Sequence, residues 1–176
     1  MGRKSNLSMR NVLSFMIPFF TIDTNLINAR GKHPHMNISE DLHSKGLIKI
    51  VKTDAMDTEM LGSYQKGLLK SQQYDEIQGY GFFGYERFDH SVIGHVEDGG
   101  LNQSIVMALF PGKSYSELSD NDCRDVMHIQ AHIINKSDYF VTRDGVIFAA
   151  TDALARLGVR VRTPEKLLEE LQNKKI

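Results

Sequence analysis

Between residues 12 and 22 the chain is apolar almost without a break, rich in Phe, Ile, Val and Leu, and it then stops at Asp23-Thr24-Asn25. A run with no polar alternation is what a strand buried on both faces requires. The polar stop places a helix start directly after it, with Asp23 or Thr24 able to cap the first turn. The apolar core of the run, 15–20, contains Pro18 and is far too short to span a bilayer. Arg3, Lys4 and Arg10 precede it as they would in a signal peptide, yet it leads into Thr21-Ile22-Asp23-Thr24 rather than a small-residue cleavage site. A buried strand in a cytoplasmic protein is the expectation, with no membrane association.

Further strands alternate with helices along the chain. Residues 26–29 fit a short helix broken by Gly31, 32–37 read as a loop around His33-Pro34-His35, and 38–44 as another short helix. The β-branched stretch 47–53 is the second strand. From Asp54 onward Met56, Glu59, Met60, Tyr64 and Leu68 recur at helical spacing, which puts Glu59 on a helix just after that strand. Residues 72–100, rich in Gly, Tyr, Phe and acids, read as an irregular insertion, and 101–109 as a helix or strand ended by Pro111-Gly112. Ser119 or Asp120 caps a helix reaching about Asn135. A third strand at 138–142, a helix at 146–157, a short strand at 159–162 and a last helix follow. Thr163 with Pro164 is the start signal of that helix, and 169–176 is expected to fray. Such alternation argues for one α/β domain over 1–176, a mostly parallel sheet with helices on both faces.

Composition narrows the function classes. Hydrophobic residues at 41% and charged residues at 24% are ordinary for a globular chain, not a disordered or fibrous one. A formal net charge of −1 lacks the basic surplus with which many polyanion binders neutralise phosphates. An enzyme that holds its substrate through bound cations needs less of it. The single cysteine, Cys123, excludes an intramolecular disulfide and suits a reducing compartment.

The acids sit where such a sheet gathers ligands, outside the carboxyl ends of its strands. Asp23 ends the first strand, Asp144 follows the third by two residues, Asp125 lies on the helix before that strand, and Glu59 on the helix after the second. Singly, each has a bland reading: Asp23 as a helix cap, Asp144 as a turn residue in Arg-Asp-Gly, Glu59 and Asp125 as solvated helix acids. Together they form the kind of oxygen-rich cluster that a hard divalent cation, Mg²⁺ or Mn²⁺, neutralises. A bound cation of this kind activates water and clamps a phosphodiester.

Three segments resemble PIN domains. Phe19-Phe20-Thr21-Ile22-Asp23-Thr24-Asn25 is similar to the family's opening strand. Thr53-Asp54-Ala55-Met56-Asp57-Thr58-Glu59 resembles its strand-to-helix segment, with the glutamate six residues after the strand-end Thr. The most specific match is Arg124-Asp125-Val126-Met127-His128-Ile129-Gln130-Ala131 followed by Asp138-Tyr139-Phe140-Val141-Thr142-Arg143-Asp144. The likeness covers about 16–64 and 118–171, and leaves 65–117 as a longer insertion. It implies a Rossmann-like three-layer α/β/α sheet and Mg²⁺- or Mn²⁺-dependent hydrolysis of phosphodiesters, most often in RNA. Asp23, Glu59, Asp125 and Asp144 are then the metal-binding and catalytic acids, supported by Asn25, Thr142, Arg143 and His128. Family members include toxins of toxin–antitoxin pairs, so an antitoxin partner and a homodimer are expectations as well. The alternative is a PIN-like binding or assembly module with a weakened metal site. One departure is the apolar Gly145-Val146-Ile147-Phe148 after the last aspartate, where members often carry a further acid or polar group.

Other patterns compete. His128 and His132 are four apart on one helix, a spacing that chelates zinc, but no glutamate follows His128 as it would in a zincin, and support of Asp125 is the simpler role. Gly79-Tyr80-Gly81-Phe82-Phe83-Gly84 spells a dinucleotide fingerprint, but no apolar strand precedes it and aromatics fill the positions that must approach a pyrophosphate. Its rings, with Arg87, suit stacking on bases or a small core. A dehalogenase-like phosphatase also starts with a strand-end aspartate, but requires Asp-x-Asp where Asp23-Thr24-Asn25 stands.

Overall fold

The computed structural model describes residues 17–27, 34–60, 65–79 and 99–173. Five strands form one sheet: β1 (Phe19–Ile22), β2 (Lys49–Thr53), β3 (Asp75–Ile77), β4 (Tyr139–Val141) and β5 (Val161–Arg162). Every neighbouring pair is parallel, in the order β3-β2-β1-β4-β5. Around the sheet lie α1 (Pro34–Ser44), α2 (Asp54–Met60), α3 (Gln65–Ser71), α4 (Gly99–Leu109), α5 (Asp120–Ile134), α6 (Gly145–Ala149), α7 (Thr151–Arg156) and α8 (Pro164–Asn173).

Because successive side chains on a strand point to opposite faces, the apolar strands feed two cores. Phe20, Ile22, Ile50, Tyr139 and Val141 pack with Met36 of α1 and with Leu167, Leu168 and Leu171 of α8. Phe140 and Val161 join Ile105 and Val106 of α4, Val126 and Ile129 of α5, and Leu154 of α7 in a second cluster. Tyr139 and Val141 in the first cluster and Phe140 in the second leave opposite faces of β4, so helices cover both sides of the sheet in an α/β/α sandwich, as the alternation in the sequence implied. Each fully buried Phe, Ile or Leu side chain stabilises it by roughly 1.5–3 kcal/mol.

Several local expectations are corrected. Residues 34–37 are helical rather than loop, because Pro34 occupies the first position of α1, where a fixed φ and a missing N–H cost nothing. Within the stretch read as irregular, Asp75–Ile77 is the edge strand β3, with Val51 opposite Asp75 and Thr53 opposite Ile77. Two exposed acids and one buried Ile77 carry no strand-like apolar pattern, which is how edge strands are commonly kept from further pairing. The helix expected over 146–157 is two, α6 and α7, where the Thr151 hydroxyl bonds the Phe148 carbonyl at 2.7 Å and competes with the backbone. Among the described residues β1 begins only at Phe19, after an exposed Ile17 and after Pro18, which has no N–H for the ladder. The expected helix over 26–29 is a single 3-10 turn at Thr24–Leu26, with Ala29 and Gly31 outside the described residues. The last helix does not fray at 169, since Leu171 is buried in the core. No described helix is long and apolar enough to cross a membrane.

Strand order fixes where a ligand belongs. From β1 the chain builds outward through β2 to β3, then returns to place β4 and β5 on the other side of β1. In open α/β sheets this reversal opens a crevice at the carboxyl ends of the two central strands. Here those strands are β1 and β4.

Candidate functional site

Asp23 stands at the mouth of that crevice. Its backbone N–H donates to the Val141 carbonyl at 3.0 Å, extending the β1–β4 ladder by one bond. It occupies the cap position of the 3-10 turn Thr24–Leu26, yet its carboxylate caps nothing. Instead Oδ2 accepts from Asn25 Nδ2 at 2.8 Å and from the Thr142 hydroxyl. Thr142 Oγ1 in turn accepts the backbone N–H of Asp144 at 2.8 Å and lies 3.3 Å from Asn25 Nδ2. Burial pushes the Asp23 pKa up, His128 and the Thr142 hydrogen bond pull it down, and the charges of Glu59 and Asp144 raise it further.

Asp144 comes from the end of β4. The Arg-Asp-Gly turn is also a helix start: Asp144 Oδ1 caps α6 by accepting from Val146 N at 2.7 Å and Ile147 N at 3.1 Å. Asp125 reaches the crevice from α5, whose register is set by the Ser119 cap and its reciprocal bond with Asp122. Its pKa is pushed up to about 7, first by burial and then, against His128, by Asp144, Asp23 and Glu59. Four acids from four segments therefore share one electrostatic environment.

His128, one helical turn after Asp125, is the positive counterweight. It is 1% exposed. Nδ1 meets the Thr53 hydroxyl at the end of β2, and Nε2 lies 3.5 Å from both Glu59 Oε2 and Thr24 Oγ1. Burial opposes its charged form, but the bond to Glu59 and the charges of Asp23, Glu59 and Asp125 outweigh burial and hold its pKa above the ordinary histidine value. Glu59 responds in the opposite sense: burial raises its pKa, while His128, Thr24 and Arg124 lower it overall. Thr24, read from the sequence as a candidate helix cap, and Thr53, read as a strand end, stand outside the expected site; their place as polar residues closing apolar strands is the signal that points to this further role.

The donor chemistry fits a hard cation, since every acid in the crevice offers carboxylate oxygen. Among the described residues, however, no three Asp, Glu, His or Cys side chains converge into a ready-made cage. Mg²⁺ commonly keeps several waters and takes only one or two carboxylates from the protein, so a crevice of spaced acids suits it better than it suits a dehydrated ion. Comparison with family models, with curated proteins and with solved structures found no match for this chain.

The remaining candidates lie elsewhere. Arg143 is held by Glu165 of α8. His132 does not join His128: its Nδ1 bonds Thr21 Oγ1 at 3.1 Å, and its ring stands edge-on to Phe140. Burial pushes its pKa down to about 4. Asp57, two residues before Glu59, is taken up by Lys52 and Ser71. Gly79 lets the backbone pass close to α5, where an added Cβ would sit 3.0 Å from Gln130 Oε1. The other five residues of the Gly-rich motif, 80–84, lie outside the described residues. Cys123 is buried.

Proposed function

We propose that this chain is a metal-dependent nuclease with a PIN-like, Rossmann-like fold, a ribonuclease acting through Mg²⁺ or Mn²⁺. The observation that supports it is the electrostatic coupling of Asp23, Asp125, Asp144 and Glu59 around the point where strand order reverses between β1 and β4. Burial, with repulsion from Asp144, Asp23 and Glu59 added to it, lifts Asp125 to about 7, and that is the cost a cation would relieve.

In this reading Asp23, Asp125 and Asp144 hold the ion. Such a cation, when bound, lowers the pKa of a water and neutralises charge on the leaving oxygen. Asn25 and Thr142 fix the Asp23 carboxylate, leaving its Oδ1 for the ligand. Glu59, kept ionised and oriented by His128, ligates or turns the attacking water toward phosphorus. In-line attack releases a 3′-hydroxyl and leaves a 5′-phosphate. Arg143 exchanges Glu165 for a phosphate of the bound strand. A homodimer, an antitoxin partner and a cytoplasmic setting accompany this reading.

The spaced acids also favour a second reading, a binding or assembly module with a weak metal site. Cleavage of single-stranded RNA, assayed with Mg²⁺ and with Mn²⁺, separates them. Activity that disappears in Asp23→Asn and in Asp125→Asn, both still folded, supports the nuclease; undiminished activity in both overturns the site. Absence of Mn²⁺ binding at roughly millimolar concentration favours the module.

A further inference from the structure

At the other end of the sheet from the acids, beside the amino end of β4, a cavity of about 310 Å³ is lined by His132, Lys136, Ser137, Asp138, Leu157 and Arg160. Two helices end on it with the same carboxyl-terminal turn. In α7 the N–H groups of Gly158 and Val159 close back on the carbonyls of Ala155 and Leu154, each at 3.0 Å. In α5 those of Lys136 and Ser137 close on Ile133 at 3.1 Å and His132 at 3.3 Å. This turn needs a left-handed residue, usually glycine. Gly158 supplies it with φ +86° at one helix, whereas at the other Lys136 adopts φ +53°. A residue with a Cβ takes that conformation at a cost. The helix dipole rewards a cation at either end alike, so it does not explain why only one of the two turns carries lysine.

The polar wall is arranged to donate. Thr21 Oγ1 gives its one hydrogen to Ser137 Oγ at 2.9 Å, which leaves it only the acceptor role toward His132 Nδ1 at 3.1 Å and leaves the Ser137 hydroxyl its own hydrogen for another partner. Ser137 and His132 are themselves buried. Among the described residues neither Lys136 nor Arg160 forms an ion pair. Among the described lining residues Asp138 is the carboxylate, and its Oδ2 is turned to the Phe19 N–H at 2.8 Å. The turn hydrogen bonds engage the carbonyls of Leu154, Ala155, His132 and Ile133, so the attraction for an anion has to come from the Lys136 and Arg160 charges.

We propose that this cavity binds a small organic anion, its head held by Lys136, Arg160 and the Ser137 hydroxyl and its apolar body against Leu157. The site is separate from the acidic crevice and does not depend on nuclease activity. It is tested by NMR titration of the full chain with inorganic phosphate, with butyrate and with neutral butan-1-ol, following the amide signals of Ser137 and Gly158. Saturable shifts with phosphate identify a phosphate head, and saturable shifts with butyrate a carboxylate; either supports the site. Lys136→Gly is expected to raise Tm, by relieving the left-handed backbone, while weakening anion binding at least about tenfold. Arg160→Gln should weaken it similarly. No saturation by either anion at roughly millimolar concentration, equal shifts with butan-1-ol, or unchanged binding in both variants would overturn the proposal.

Discussion

Thr142 Oγ1 donates its hydrogen to Asp23 Oδ2 across 119 positions of sequence and itself accepts the backbone N–H of Asp144 at 2.8 Å. One side chain at the end of β4 thereby sets the carboxylate at the end of β1 and the start of α6. Thr142 is fully buried, so none of these bonds is shared with bulk water.

Replacing Thr142 by Val keeps the volume and removes the hydroxyl. Asp23 Oδ2 loses a donor and the Asp144 N–H loses its acceptor, which is expected to cost about 1–3 kcal/mol of stability by urea unfolding. Positioning of a metal-binding carboxylate is lost as well, so Mg²⁺-dependent cleavage should fall by roughly 10–100-fold, with Thr142→Ser restoring most of it. Full activity in the Val variant would show that Asp23 does not depend on this bond.

Asp125 gives a stability signature opposite to that of a paired carboxylate. Its folded pKa of about 7 lies above the ordinary aspartate value of 3.8, so the native state binds the proton more tightly than the unfolded chain. The resulting stabilisation is complete below pH 3.8 and is lost as pH rises through 7. At pH 8 the ion-free protein therefore carries a penalty that Asp125→Asn lacks, and the variant should be more stable by about 2–4 kcal/mol, with little difference at pH 4. Mn²⁺ should raise the Tm of the parent and not that of the variant. Equal stability of the two proteins at pH 8 would contradict the burial of Asp125 and the crowding of charge around it.

The sign reverses for His132. Burial pushes its pKa down to about 4 from 6.5, so between those values the unfolded chain binds a proton that the native state refuses. Its contribution is complete above pH 6.5 and lost as pH falls toward 4. Comparison with His132→Gln cancels the other titrating groups. The parent should lose about 3 kcal/mol relative to the variant between pH 7 and pH 4, read from denaturant unfolding at each pH. Parallel pH profiles would mean that the imidazole is hydrated in the native state.

Much of the architecture was legible because it is written in local chemistry. The run ending at Ile22, the cap at Ser119 and the Thr163-Pro164 start each act within one turn or strand, and each appears in the fold. Asp125 and His128 share a helix face through spacing alone. β3 was not legible, since Asp75 and Glu76 face solvent and only pairing with β2 makes that segment a strand. The split between α6 and α7 turns on one Thr151 hydroxyl choosing the Phe148 carbonyl.

The sequence by itself determined that the chain alternates strands with helices and that Asp23 and Asp144 follow strands, because periodicity and polar stops are properties of neighbouring residues. Only the tertiary structure decided that β1 and β4 lie side by side, with the reversal between them. Strand order is settled by pairing and core packing between segments more than a hundred residues apart, to which local pattern is blind. That pairing puts Asp23 within reach of Thr142, and it sends His132, expected beside His128, to Thr21 instead.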